Sequence, residues 1–155
     1  VWYTGRMMGE TLAQTLCGNP TEYKPGHWFN SAKFLDVEYQ TYGWVFSERG
    51  MKDYEQHFHW RHAKEKICIT ISFHKESKLF LGINTFGIRM RHELFDKWLT
   101  EERSVDYVME YLKDANFDPE FYKQYEGEIV AKYNSELGTN INPKKKSWKR
   151  IFSNA

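Results

Sequence analysis

Between Tyr54 and Ile83 the chain alternates apolar and polar residues with a period of two, in three short runs. Tyr54, Gln56, Phe58 and Trp60 alternate with Glu55, His57, His59 and Arg61. Ile67, Ile69, Ile71 and Phe73 then alternate with Cys68, Thr70 and Ser72, and Leu79, Leu81 and Ile83 complete the set. Successive side chains of a strand point to opposite faces, so this pattern suits strands that bury one face. The links, Ala63-Lys64-Glu65 and Lys75-Glu76-Ser77, are tight turns. Together they predict an antiparallel meander. Gly82 and Gly87 permit close backbone approach or a turn out of the sheet.

The flanks read as helices. Val1 opens directly on a helical pattern with no cap or leader before it, which predicts that the chain begins inside a larger polypeptide. Leu12 and Leu16 lie one turn apart, and Gly18-Asn19-Pro20 stops this helix near Cys17. Gly5, Gly9 and Ala13 recur at every fourth residue, a stripe that lets a backbone press against a neighbour or a flat ligand. A connection through Pro25-Gly26 follows, anchored by Tyr23, Trp28 and Phe29, and residues 32–47 read as one extended stretch interrupted at Gly43. Beyond the meander, Arg89 to Leu99 places Met90, Leu94, Phe95 and Trp98 on one side of a helix. Ser104 is a suitable N-cap for the next, with Val108, Tyr111 and Leu112 on one face. Asp118-Pro119 offers a cap and an N1 proline for a third, along which Phe121, Tyr125, Ile129 and Tyr133 repeat. The expected class is α+β: a helix, a small antiparallel sheet, then two or three helices.

With 155 residues the chain suits one domain, and 17% aromatic residues argue against disorder. A formal charge of +1 gives no overall attraction to nucleic acid or membrane. The two cysteines, Cys17 and Cys68, have no metal-ligand spacing and suggest free thiols in a reducing, cytoplasmic setting. No apolar run approaches the roughly 20 residues of a membrane span. His57, His59 and His62 form H-x-H-x-x-H, but on a strand the third points away from the first two, so a polar face outweighs a metal site. Asp96, Glu101, Glu102 and Asp106 serve solvation and a helix dipole better than catalysis. Lys144, Lys145, Lys146, Lys149 and Arg150, with Trp148, could bind phosphates, yet the body is not basic and a solvated tail is the simpler reading. No catalytic residue and no phosphate-cradling fingerprint is found.

The order of motifs in the first fifty residues resembles a known family. Thr4-Gly5-Arg6-Met7-Met8-Gly9-Glu10 resembles the small-Gly-Arg-x-x-Gly-Glu segment of a late FAD-domain helix in ferredoxin-reductase-like and apoptosis-inducing-factor-like pyridine nucleotide oxidoreductases. Leu16-Cys17-Gly18 resembles that helix's end, Tyr23-Lys24-Pro25 the linker, and Trp28 to Phe34 the aromatic segment entering the C-terminal interface domain. Asp36-Val37-Glu38-Tyr39-Gln40-Thr41-Tyr42-Gly43 is similar to that domain's first strand. The resemblance spans residues 1–99 and is sharpest over 4–43.

Together with composition it suggests a division into 1–18, the last helix of an otherwise absent FAD domain; 19–138, an interface domain whose helices from Ser104 onward have no counterpart in the family and form a helical extension; and 139–155, a tail that its Asn-, Lys- and Ser-rich composition marks as basic and loosely ordered. It implies a parent enzyme that passes a hydride from NAD(P)H to FAD and electrons to an unidentified acceptor. The upstream FAD- and NAD-binding domains would be its partners, and a homodimer is a further expectation. Gly5 and Gly9 become close-packing positions, Arg6 a salt bridge or phosphate-side contact, and Asn30, Ser31, Lys33 and Phe34 the loop that approaches the flavin. The chain alone would supply one wall of the site, binding neither FAD nor NAD(P)H and catalysing nothing. Relatives commonly carry Trp-Ser-Asp where this chain has Ala32-Lys33-Phe34, which leaves the flavin contact and the acceptor open. The alternative is a stand-alone module that binds a protein or nucleic acid through sheet aromatics and the basic tail.

Overall fold

A computed structural model describes residues 2–117 and 123–144. Helix α1 (Trp2–Leu16) leads into a linker, then strands β1 (Phe29–Phe34), β2 (Val37–Gly43), β3 (Glu55–Arg61), β4 (Cys68–His74) and β5 (Phe80–Phe86). Helices α2 (His92–Thr100) and α3 (Val105–Tyr111), a 3-10 turn (Leu112–Ala115) and helix α4 (Glu126–Leu137) complete it. The five strands form one antiparallel sheet in the order β1-β2-β5-β4-β3. The α+β layout expected from periodicity is the observed one.

The extended stretch expected over 32–47 is instead split by a turn: residues 32–34 end β1, 37–43 form β2, and the two strands make a hairpin. Phe34 pairs with Val37 across a two-residue loop in which Leu35 takes φ 55°. That left-handed backbone is normally given to Gly or Asn, so no turn residue marks it. Gly43 ends β2 at φ 68°, and a Cβ there would run into the Leu81 carbonyl. The run Leu79, Leu81, Ile83 is also broken. Phe73 pairs with Phe80 and Ser72 with Gly82, so Leu81 is an extra residue. This bulge turns Phe80 and Ile83 into the core and leaves Leu79 and Leu81 half-buried. A Cβ at Gly82 would lie 2.6 Å from the Trp44 backbone nitrogen, which explains the glycine.

The helices cover one sheet face. α2 lies on β2 and β5, and α4 on β3. Phe58, Ile69, Ile71, Phe73 and Ile83 meet Phe95, Val108, Met109, Leu112, Ile129 and Tyr133, all at 1% exposure or less. Tyr42 stacks on Phe95 at 5.1 Å, and Phe58 meets Tyr133 edge-on at 5.3 Å. Ser104 caps α3 as its position predicts, accepting from the Tyr107 amide at 3.2 Å. α2 starts at His92 rather than Arg89, because Met90 bridges to Asn116 in extended form. α4 starts at Glu126 behind Tyr125 and ends on Gly138 at φ 65°. The Asp118-Pro119 start and Phe121 lie outside the described residues, as do Lys145, Lys146, Trp148, Lys149 and Arg150. Lys144 is described: its ammonium reaches the Tyr111 hydroxyl at 2.6 Å and the Glu110 carboxylate at 3.1 Å.

α1 stands apart from this core. None of its residues is buried, and Trp2 and Leu16 are 77% and 78% exposed. Its tie to the sheet is Tyr3, whose ring stacks on Phe29 at 5.0 Å and whose hydroxyl donates to the Phe29 carbonyl.

Candidate functional site

The seven residues singled out for a cofactor fall into two groups that the fold does not bring together. Gly5, Arg6 and Gly9 lie on α1, all exposed. A Cβ at Gly5 or Gly9 would meet nothing within 4 Å, so among the described residues no close packing uses these two glycines. Trp2, Leu12 and Leu16 share the face of the two glycines at the helical repeat. Arg6 donates from Nε to Glu10 at 2.7 Å, the salt-bridge role among the two expected for it.

The second group sits on β1, the edge strand. Asn30 and Ser31 line a cavity of about 210 Å³ with Gln40, Tyr42, Arg89, Met90, Arg91, His92 and Phe117 among its other walls. Ser31 and Lys33 line an adjoining cleft of about 250 Å³, which also touches Gln40 and Arg89. Phe34 stands outside both, 63% exposed at the hairpin tip beside Leu35.

The walls of this groove are fixed by hydrogen bonds. Gln40 Oε1 accepts from the Met90 amide at 2.7 Å, and the Tyr42 hydroxyl donates to the Met90 carbonyl at 3.4 Å. Burial first, and then the Glu93 carboxylate, push the Tyr42 phenol up to about 12, so it stays a neutral donor. His92 packs edge-on against Phe29 at 4.2 Å and Tyr42 at 5.4 Å. Arg89, Arg91 and Phe117 were not among the residues the sequence singled out. Arg89-Met90-Arg91 reads there as the start of a helix; folded, it is extended, with Met90 inward and both arginines on the cavity. A basic pair flanking a buried methionine is a two-residue period, and that is the one signal available.

Other candidates resolve into structure. His57 is half-buried with an unpartnered Nε2, His59 bonds Thr70 at 2.9 Å, and His62 Nδ1 accepts two turn amides from Lys64 and Glu65. Among the described residues no three His, Cys, Asp or Glu side chains converge to hold a metal ion. Cys17 is an exposed thiol, and burial pushes the half-buried Cys68 up. Hydrogen bonds from Lys123 and Tyr125 hold the Glu65 carboxyl below its usual range.

The same fold occurs in two redox enzymes. One is a FAD-dependent pyridine nucleotide-disulphide oxidoreductase from Desulfovibrio vulgaris, 11% identical with a TM-score of 0.52 over 81% of this chain. The other is a NAD-dependent persulfide reductase from A. fulgidus, 14% identical with a TM-score of 0.55 over 95% of this chain. The chain spans 30% and 32% of their respective lengths. No protein-family model and no curated protein sequence matches it. Among the described residues, no helix is long and apolar enough to cross a membrane.

Proposed function

We propose that this chain is the C-terminal interface domain of an FAD-dependent NAD(P)H oxidoreductase, preceded by the last helix of its FAD domain. The observation that carries this reading is α1: fifteen helical residues with none buried, on which Gly5 and Gly9 meet nothing among the described residues and Trp2, Leu12 and Leu16 on the same face are each more than half exposed. Isolated helices of about this length are marginal in water, so such a face calls for a partner surface. A fold shared with about a third of two larger redox enzymes supports the same assignment.

In this reading residues 1–18 dock on the FAD domain, 19–138 form the interface domain, and 139–155 are its basic tail. Gly5 and Gly9 let the docked helix approach closely. The residues present fit a flavin only as one wall: β1 offers the Ser31 hydroxyl and the Lys33 ammonium on one face along an open groove, with Asn30 between them and Phe29 on the strand. Bound FAD would supply the acceptance of a hydride from NAD(P)H. Asn30, Ser31 and Lys33 would then orient the flavin edge and exclude water there, with Phe34 and Leu35 reaching across at the hairpin tip. The stacked rings of Trp28, Trp44 and Phe46, with Trp44 56% exposed, offer a surface for a second copy.

An FAD titration tests the assignment. The 155-residue chain is expected to stay colourless after desalting, while the longer polypeptide that includes the upstream domains retains one flavin. Stoichiometric FAD on the 155 residues alone overturns it.

A further inference from the structure

We infer that the cavity between β1, β2 and the start of α2 binds a phosphate-bearing small molecule through Arg89 and Arg91. This inference rests on residues of this chain and stands whether or not β1 faces a flavin.

Two guanidiniums sit against one ring here. Arg89 lies 4.5 Å and Arg91 5.8 Å from the Phe117 ring centre. Their backbone is held in place from both sides. The Arg91 amide donates to the Ala115 carbonyl at 2.7 Å, and the Phe117 amide donates to the Arg89 carbonyl at 3.1 Å. Arg91 Nε also donates to the Asn116 carbonyl at 3.1 Å, which sets the plane of its fork. Cations positioned in this way lose little freedom when they take an anion.

Among the described residues, neither arginine has a carboxylate within ion-pair distance, although nine ion pairs form elsewhere in them. Arg89 lines the 210 Å³ cavity, the adjoining cleft with Lys33 and Glu38, and a third opening of about 320 Å³ that also contains Glu38 and the Lys123–Glu65 ion pair. Among the described residues Glu93 is the one carboxylate on the 210 Å³ cavity, against two guanidiniums, so their balance there is positive. One wall acceptor is already engaged: Gln40 Oε1 is taken by the Met90 amide. The Ser31 hydroxyl remains as a donor at the rim, on the strand face it shares with Gln40.

Two planar forks beside uncharged donors match the several oxygens of a phosphate better than the two of a carboxylate. The rings of Phe29, Tyr42 and His92 form an apolar floor, which suits an organic group attached to the phosphate.

The test uses the 155-residue chain at fixed ionic strength, following the arginine Nε–H signals by NMR. Inorganic phosphate and phenyl phosphate are expected to bind saturably, phenyl phosphate more tightly, with both arginine signals moving. Arg89→Gln is expected to weaken phenyl phosphate by about tenfold or more, the loss of one charge-assisted contact. Among the described residues the Arg89 side chain makes no hydrogen bond, and its backbone bond from Phe117 is unaffected by substitution, so this variant should keep the wild-type spectrum away from the Phe117 ring. Arg91→Lys retains charge but not the fork, and should weaken binding by a smaller factor. Binding unchanged by Arg89→Gln, no saturable binding of either phosphate, or acetate binding as tightly as phosphate would each overturn the proposal.

Discussion

α1 and β4 are both regular segments carrying large apolar residues, yet their surroundings are opposite. In β4, Ile69, Ile71 and Phe73 are fully buried between the sheet's neighbours and the helices. In α1, Trp2, Met8, Leu12 and Leu16 are each more than half exposed. The strand is held by pairing on both sides and by burial, so its apolar residues act within this chain. The helix closes its own hydrogen bonds and needs no neighbour for them, but its apolar face gains nothing here. The contrast separates what this chain does for itself from what it offers to another surface.

Core truncation should expose the contrast most strongly. Phe95→Ala removes a ring at 0% exposure that contacts Tyr42, Phe80 and Trp98, and is expected to cost about 3–5 kcal/mol. Leu16→Ala in α1 should stay within about 0.5 kcal/mol in the same denaturant titration. Comparable losses at the two sites would mean that α1 packs on this chain after all.

A smaller effect follows from pH. The Tyr42 phenol is pushed up to about 12, above the value near 10 of an unfolded chain. The folded state therefore binds that proton more tightly, and the associated stability is complete below about pH 10 and is lost as pH rises through about 12. Tyr133 moves in the same direction, through burial and then its bond to Asp106. Tyr42→Phe should shift the alkaline loss of near-ultraviolet circular dichroism to higher pH. An unshifted transition would assign it to other groups.

Much of this layout was legible because burial and period coincide. The strands from Glu55 to Phe86 announce themselves through alternation, and Ser104 and Gly18 mark helix ends by their chemistry. The β1–β2 turn was hidden because Leu35 accepts a left-handed backbone that turn residues normally take. The Leu81 bulge was hidden because alternation counts residues and not partners. At the candidate site, Asn30, Ser31 and Lys33 came from resemblance to a family. Arg89, Arg91 and Phe117 are joined to them only by tertiary structure, from segments over fifty residues away, and no local pattern could place them. The bareness of α1 was likewise invisible, since its amphipathic pattern is the same whether or not a partner is present.

Amide hydrogen exchange across α1 tests the central claim most directly. In the 155-residue chain, residues 2–16 are expected to exchange close to the rate of unstructured peptide, while β4 stays protected to the level of global unfolding. In a longer polypeptide carrying the proposed upstream FAD domain, α1 should become protected along the face of Gly5 and Gly9. Protection of α1 equal to that of β4 in the chain alone would contradict the account.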